Sequence, residues 1–286
     1  MIIDEPLDKI DAGVLTAIQE MLVQDESRYQ REHGSGNLTS LWSHSVRVAR
    51  IAHHLALKEA QDPVASILAS LLHDAGKFHG GVYHQDDVAE EERAVIAARE
   101  ILSGTPHAPL LPHLEDAVLS LYREDVEATG IGAVLHDADR LDKLGNMGIA
   151  QFFTKNALRG TFLDNRVMVK ASIELTYAHH APRTLKTETG QGLAHARSAR
   201  VRSFFEGLLE EWKELDLGAF SIQDFDAEGI LLVLVVPDTC SCTSKLTVDL
   251  DIRESLKCRS AVVAFGCKNC RAVNTFSFCL PCTKPD

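Results

Sequence analysis

The stretch ASLLHDAGKF, at residues 69–78, decides the fold of the larger part of this sequence. The predicted helix begins at Pro63, a favoured first-turn residue, and ends at Gly76, a residue that commonly terminates helices. His73 and Asp74 therefore fall in its last turn, among leucines and alanines. A charged side chain in apolar surroundings is costly unless it is paired or binds a metal ion. We expect Asp74 to have such a partner.

Two further stretches carry the same kinds of side chain. LWSHSVRVARIA, at residues 41–52, places His44 on a helix that Thr39 or Ser40 can cap. VLHDADRLDKLG, at residues 134–145, places Asp139 on another helix. Two imidazoles and two carboxylates would form a mixed nitrogen and oxygen shell. Such a shell suits Mn, Fe, Co, Ni or Zn and leaves positions for water and a substrate oxygen.

The chain reads as a helical part followed by a strand-rich part. Apolar periodicity predicts further helices at 88–102, 114–122, 131–144, 167–177 and 192–215, and no βαβ alternation is present. Later segments, GILLVLVVP, KLTVDLDI and SAVVAFG, are short and rich in Val, Ile and Leu, as is typical of strands. With a boundary near residues 217–228, we expect a mainly α fold: a helical domain over 1–216 and a small β-rich module over 217–286.

Composition excludes several classes of protein. A chain of 286 residues with 45% hydrophobic and 24% charged residues is neither disordered nor of low complexity. The longest apolar run is too short to cross a bilayer, and the acidic first residues differ from a basic signal peptide, so we expect a cytoplasmic protein with no membrane partner. The net charge of −12 disfavours broad nucleic-acid binding. The tail from residue 240 onward is nevertheless basic, because it contains seven Lys and Arg but only four Asp and Glu.

All seven cysteines lie in this tail. Two Cys-x-x-Cys pairs, eight residues apart, predict one structural zinc ion in a reducing compartment, with the ligands Cys267, Cys270, Cys279 and Cys282. The other three could share ions with these pairs, form a second site with water or a carboxylate such as Asp238, or bind an iron–sulfur cluster: Cys240, Cys242 and Cys258. We expect a zinc-stabilised module that packs on the helices or recruits a protein partner. Its mild positive charge is compatible with a nucleotide or nucleic-acid contact, but it has no aromatic ladder or arginine run.

The motifs together resemble the HD superfamily of metal-dependent phosphohydrolases. The likeness lies in the histidine of LWSHSVRVARIA, in LLHDAGK and in HDADRLDKLGNMGIAQFF, and it extends over roughly residues 15–215. Residues 185–212 are also similar to the closing helices of one bacterial HD subgroup. The resemblance implies a helical bundle whose catalytic ion is bound by His44, His73, Asp74 and Asp139. Asp139 is preferred to Asp137, because the alanine-aspartate-arginine step is where the distal aspartate of the family falls, and Asp142 could support the site.

The resemblance also implies hydrolysis of a phosphomonoester or phosphodiester of a nucleotide-like substrate by metal-activated water. Asp74 would act beside the ion, and Lys77 and Arg140 would bind the phosphoryl oxygens. Alternatively, Lys77 is a solvated cation at a helix end, and Arg140 forms a structural ion pair with Asp137 or Glu124. In the loop after Lys77, His84 is the candidate proton donor or lid residue.

Two other functions stay open from the sequence. An HD-type di-iron oxygenase needs additional histidines at the heads of the following helices, where this sequence has residues such as Glu91 and Glu92. A sensor or scaffold would keep the helical fold and bind a nucleotide without turnover. Metal analysis and phosphate release separate these functions from a hydrolase.

Overall fold

The protein is described here from a computed structural model. The structure describes residues 6–33, 40–81, 89–122, 127–239, 242, 244–254, 259–271 and 273–279. The predicted fold class is confirmed: the chain is mainly α-helical and ends in a small β-rich part. The helices are α1 (Ala12–Glu32), α2 (Leu41–Lys58), α3 (Pro63–Leu72), α4 (Glu90–Leu102), α5 (Leu111–Tyr122), α6 (Ile131–Asp142), α7 (Asn146–Leu158), α8 (Asn165–Thr184) and α9 (Glu188–Glu214). The strands are β1 (Phe220–Ala227), β2 (Ile230–Pro237), β3 (Leu246–Glu254), β4 (Arg259–Cys267) and β5 (Val273–Cys279).

Contacts between Cα atoms divide the chain into two compact units. The first contains Met1–Asp142 and Leu185–Gln191, and the second contains Lys143–Thr184 and Gly192–Asp286. The change from helix to strand lies between Glu214 and Phe220, at the start of the predicted boundary. The division into domains at 1–216 and 217–286 stays a prediction. Within the described ranges, no helix is both long enough and apolar enough to cross a membrane.

In the first unit, α2, α3 and α6 pack against one another. Their contact surfaces are lined by small and aliphatic side chains that are fully buried, such as Val48, Leu68, Leu72 and Leu135. Dense packing of this kind fixes the relative positions of the three helices. The three stretches that carry the predicted metal ligands are therefore brought to one place by the core.

The start of α2 is capped by a residue that the sequence did not suggest. Ser40 is the N-cap residue, but its side chain makes no capping hydrogen bond. The carboxylate of Glu26, on α1, is 2% exposed and accepts from the backbone N–H groups of Ser40 at 2.9 Å and Leu41 at 2.8 Å. A carboxylate at a helix N-terminus satisfies unpaired N–H groups and interacts favourably with the helix dipole. Of the expected capping residues, Thr39 lies outside the described residues.

The helix α3 begins as predicted and ends slightly earlier than predicted. Asp62 caps its start by accepting from the N–H groups of Val64 and Ala65, and Pro63 occupies the first turn. The helix ends at Leu72, so His73 and Asp74 follow it in a turn. Gly76 lies further along this turn, where a Cβ atom would collide with the backbone of Glu90 at the start of α4. This glycine lets α4 approach the His-Asp turn closely.

In the second unit, both sheets are antiparallel. The strands β1 and β2 form a two-stranded sheet, and β3, β4 and β5 form a three-stranded sheet in that order. Alternate side chains of β2 and β4, including Leu232, Leu234, Val263 and Phe265, are buried in one apolar cluster. The strands predicted around 229–237, 245–252 and 260–266 are confirmed, whereas β1 and β5 were not predicted.

Side chains of α8 form hydrogen bonds with the backbone of β2, along the edge that does not pair with β1. Three polar residues spaced four apart face this edge: Ser172, Thr176 and His180. The hydroxyl of Thr176 accepts from the N–H of Val233 at 3.0 Å and donates to its carbonyl at 3.2 Å. His180 Nε2 donates to the carbonyl of Leu231 at 2.7 Å. This pairing accounts for the length of α8, which continues seven residues beyond its predicted end at residue 177 and includes Pro182.

Candidate metal centre

The orientation of His73 is set by the end of α3. Its Nδ1 lies 2.7 Å from the carbonyl oxygen of Ser70. A carbonyl oxygen only accepts, so Nδ1 carries the proton and the lone pair of the neutral ring lies on Nε2. This Nε2 is buried and has no hydrogen-bond partner among the described residues. Its lone pair faces carboxylate oxygens of Asp74 at 3.6 Å and Asp139 at 3.9 Å.

The orientation of His44 is likewise set by a hydrogen bond from its Nδ1, in this case to a side chain of α6. Its Nδ1 donates to Oδ2 of Asp142 at 2.8 Å, because a carboxylate only accepts. Its Nε2 lies 3.3 Å from Oδ1 of Asp139 and 3.7 Å from Oδ2 of Asp74. Burial alone would lower the pKa of His44, but the hydrogen bonds to Asp139 and Asp142 outweigh it and raise the pKa. The surroundings of this ring therefore favour positive charge.

Asp142 is held by two neighbours and is 1% exposed. Besides His44, Arg47 binds it from α2, with Nε 2.7 Å from Oδ1 and Nη2 3.0 Å from Oδ2. Burial would raise the pKa of Asp142, but the hydrogen bonds from His44 and Arg47 lower it to about 2. Its carboxylate is thus ionised at neutral pH. A histidine that donates its second N–H to a carboxylate is the usual arrangement at metal sites.

The donor atoms fit a metal ion. His44, His73 and Asp139 each offer one ligand atom, and these atoms lie within 4.8 Å of one another. Around an ion with ligand distances of about 2.1 Å, neighbouring donors lie about 3 to 3.5 Å apart, close to the separations here. Burial would raise the pKa of Asp74, but His73 and Lys77 lower it to about 2, so an ionised carboxylate faces the same space as Asp139. The lone pair of His73 and these carboxylates could together hold a divalent cation.

Residues 41–144 match the family model of the HD domain. The matched segment contains all four predicted ligands, and the HD site below means His44, His73, Asp74 and Asp139. The structure places Asp139 in this site, as preferred at the sequence level, and places Asp137 elsewhere.

Comparison with curated proteins finds no match. Among solved structures, a predicted HD superfamily hydrolase from an uncultured Thermotogales bacterium is 24% identical, covers 70% of this chain and 91% of its own, and has a TM-score of 0.49. YpgQ of Bacillus subtilis, solved with ADP, is 19% identical over 71% of this chain and 99% of its own, with a TM-score of 0.49. An HD-superfamily hydrolase from Bacillus thuringiensis is 20% identical over 68% of this chain and 98% of its own, with a TM-score of 0.47.

The two cations predicted to bind substrate have different surroundings. Lys77 lies at the HD site, with Nζ 3.7 Å from Oδ2 of Asp74 and 35% of its side chain exposed. Arg140 donates from Nε to Nε2 of His136 at 2.7 Å. His136 in turn donates from Nδ1 to Oδ1 of Asp137 at 2.8 Å. The alternative prediction of a structural role for Arg140 is thus supported by a link to Asp137 through His136.

Asp137 is fully buried and binds the segment Leu185–Gln191. It accepts hydrogen bonds from the backbone of Lys186 and from both the backbone and the hydroxyl of Thr187, each at 2.7 to 3.1 Å. Gly190 approaches it so closely that an added Cβ would lie 2.5 Å from its Oδ2. Asp137 therefore connects α6 to this segment. From the sequence, Asp137 was predicted only as the less preferred metal ligand and as an ion-pair partner of Arg140.

The cysteine-rich tail is only partly described. Cys240, Cys258 and Cys282 lie outside the described residues, and of Cys279 only the backbone is described. Cys242, Cys267 and Cys270 have sulfur atoms within 4.8 Å of one another. Hydrogen bonds from Ser244 and then Cys267 lower the pKa of Cys242 to about 5. The structure thus groups one of the three remaining cysteines with the first Cys-x-x-Cys pair.

Three residues that support the HD site or the helices that carry it were absent from the sequence prediction. Arg47 supports Asp142, and its position three residues after His44 on a predicted helix was the available signal. The sequence gave no such signal that Glu26 caps α2. It likewise gave no signal that the carbonyl of Ser70 orients His73. The candidate proton donor His84 lies outside the described residues.

Proposed function

We propose that the protein is a metal-dependent phosphohydrolase that cleaves a phosphomonoester or phosphodiester of a nucleotide-like substrate. The HD domain supports the hydrolase class, and the geometry of the HD site supports the dependence on metal. The observation that carries the proposal is the buried Nε2 of His73, which has no hydrogen-bond partner in the described part of the chain and faces the carboxylates of Asp74 and Asp139. An arrangement of this kind is costly without a cation.

The residues of the site have separate roles in this proposal. His44, His73, Asp74 and Asp139 would hold the ion, which could be Mn, Fe, Co, Ni or Zn. When bound, it would polarise a phosphoryl oxygen and lower the pKa of a water molecule. Asp142 and the Ser70 carbonyl keep Nδ1 of each ring protonated, so both Nε2 lone pairs stay directed inward.

The substrate would meet positive charge beside this carboxylate cluster. Lys77 is partly exposed next to Asp74 and would stabilise negative charge on the phosphoryl oxygens. Arg140, which follows Asp139 in α6 and bonds to His136 through Nε, would serve the same purpose. We retain His84 as the proposed proton donor to the leaving group.

The test is phosphate release by the purified full chain after removal of metal. Mn, Fe, Co, Ni, Zn and Mg would be added in turn, with nucleoside mono-, di- and triphosphates, simple phosphomonoesters and a chromogenic diester as substrates. We expect turnover with at least one transition metal. His73→Ala and Asp139→Asn should each reduce it by a factor of about 100 or more, because the ion and its bound water are lost together.

The matched control is His54→Ala, which removes an exposed histidine from α2, the helix that carries His44. It should leave both activity and metal content unchanged, whereas His44→Ala should lower both. Unchanged turnover in Asp139→Asn would contradict the site. A protein that binds the ion and a nucleotide but releases no phosphate with any of the six metals would contradict the hydrolase and favour the sensor.

A further inference from the structure

The strand register separates the two Cys-x-x-Cys pairs. In the β4–β5 hairpin, Cys279 lies opposite Ser260, near the start of β4, whereas Cys267 ends that strand. Seven residues of extended chain span about 23 Å at about 3.3 Å per residue. A cysteine side chain is too short to bridge that gap. The register therefore argues against one zinc ion shared by Cys267, Cys270 and Cys279.

The described residues bring a different cysteine to the end of β4. Cys242 lies in the connection between β2 and β3, and its sulfur is 3.5 Å from that of Cys267. Cys270 follows in the turn after β4, and all three sulfurs lie within 4.8 Å of one another. No disulfide joins these three cysteines. They come from two segments that are 25 residues apart in sequence and meet at one end of the three-stranded sheet.

The spacing of these sulfurs, with one distance of 3.5 Å and the others within 4.8 Å, is compatible with that of ligands around one ion. Thiolates bound to zinc at about 2.3 Å in a tetrahedron lie about 3.8 Å from one another. In addition, the side-chain amide of Asn269 donates to the sulfur of Cys242 at 3.6 Å, an interaction that stabilises charge on a thiolate.

We propose that Cys242, Cys267 and Cys270 bind one thiophilic divalent cation, zinc in the cell, with a further donor at the fourth position. The ion ties the β2–β3 connection to the end of β4 and thereby closes the loop that contains β3. This site is independent of the HD site, whose nitrogen and oxygen donors belong to the other compact unit. We assign it a structural role, because its ligands join two separate segments of the chain and sets of three or four cysteines are typical of structural zinc.

The test uses the full chain loaded with cobalt in place of zinc. Thiolate-to-cobalt charge-transfer absorption reports only cysteine ligands, so an ion at the HD site does not contribute. Cys242→Ser, Cys267→Ser and Cys270→Ser should each remove one bound ion per chain and its charge-transfer band. The double variant Cys242→Ser/Cys267→Ser should lose one ion per chain, as each single variant does, because both residues bind the same ion.

Cys279→Ser is the matched control, because Cys279 belongs to the same sheet but lies at its other end. It should retain the ion that Cys242→Ser removes. Retention of that ion in Cys242→Ser, or its loss in Cys279→Ser, would overturn the proposal, as would an intact mass showing Cys242 in a disulfide.

A second variant guards against simple misfolding. Cys242→His keeps a zinc-binding side chain, so it should retain the ion while the charge-transfer intensity falls by about one third, in line with two thiolates instead of three. An unchanged intensity would show that Cys242 is not a ligand. Loss of the ion in Cys242→His with a folded tail, shown by unchanged far-ultraviolet circular dichroism, would equally refute the proposal.

Discussion

The substitution Asp142→Asn removes one negative charge and hardly changes the volume of the side chain. Asp142 supports His44, one of the four residues of the HD site. Asp142 is 1% exposed, and its two oxygens accept three hydrogen bonds, from His44 Nδ1 and from Nε and Nη2 of Arg47. An asparagine offers one oxygen and one NH₂ group in the same space. Whichever way the amide turns, its NH₂ group meets an N–H group. At least one of the three hydrogen bonds is therefore lost.

The loss acts first on metal binding. Outer carboxylates that orient a ligating histidine contribute about 10- to 100-fold to metal affinity, or about 1.4 to 2.7 kcal/mol. The variant also affects the apo protein. The fall in the pKa of Asp142 from 3.8 to about 2 corresponds to about 2 kcal/mol of interaction in the folded state. In the wild type, this contribution is present above pH 3.8 and is lost as the pH falls toward 2, because the folded pKa is depressed.

Both effects are measurable on the same protein. Competition with a coloured chelator gives the affinity for cobalt or manganese, and urea unfolding in excess chelator gives the stability of the apo form. Asp164→Asn is the control, since Nε and Nη2 of Arg166 both donate to Oδ2 of Asp164 in a pair that is largely exposed and therefore contributes little to stability. Wild-type metal affinity in Asp142→Asn would refute the claim that this carboxylate orients His44 for binding.

Three further substitutions test parts of the fold. Glu26→Gln should lower the free energy of unfolding, measured in urea, by about 1 to 2 kcal/mol, because a neutral amide caps α2 less well than a buried carboxylate; no change would contradict the cap. Thr176→Val should cost about 2 to 4 kcal/mol, since it leaves two buried backbone groups of β2 unpaired, and the exposed Thr154→Val should cost far less. Burial raises the pKa of Glu174 to about 7, so the folded state holds a proton that the unfolded state releases. Wild-type stability should therefore fall by up to about 3 kcal/mol between pH 4.5 and pH 7, and urea titrations of Glu174→Gln should show a flatter profile.

The helices and the HD site were predictable because their signals are local. Apolar residues at helical spacing identified the positions of α2, α3 and α6, and the stretches around His44, His73 and Asp139 carried the HD resemblance. The structure brings these three side chains together. Local patterns suffice here because each proposed ligand lies on a helix, or directly after one, whose buried face is readable from the sequence alone.

What the sequence did not reveal depends on contacts between distant segments. Glu26 caps α2 from α1, and Thr176 binds the edge of β2 from 57 residues away. The grouping of Cys242 with Cys267 follows from strand register, which the spacing of cysteines does not encode. The Cys-x-x-Cys pattern predicts that two thiolates lie close together, but it does not determine which other cysteine joins them.

The helix α6 shows how three aspartates acquire different roles from position alone. Successive residues of an α-helix are rotated by about 100°, so Asp137 and Asp139 diverge by about 200°, whereas Asp142 returns to within about 60° of Asp139. Asp139 accordingly faces the histidines, Asp142 supports one of them from the adjoining turn, and Asp137 binds the backbone around Thr187 on the other side. A shift of two residues in this helix would place Asp137 where Asp139 lies and so exchange the proposed metal ligand for the structural anchor. The HD site thus requires both the sequence HDADRLD and the helical register that its buried apolar residues impose.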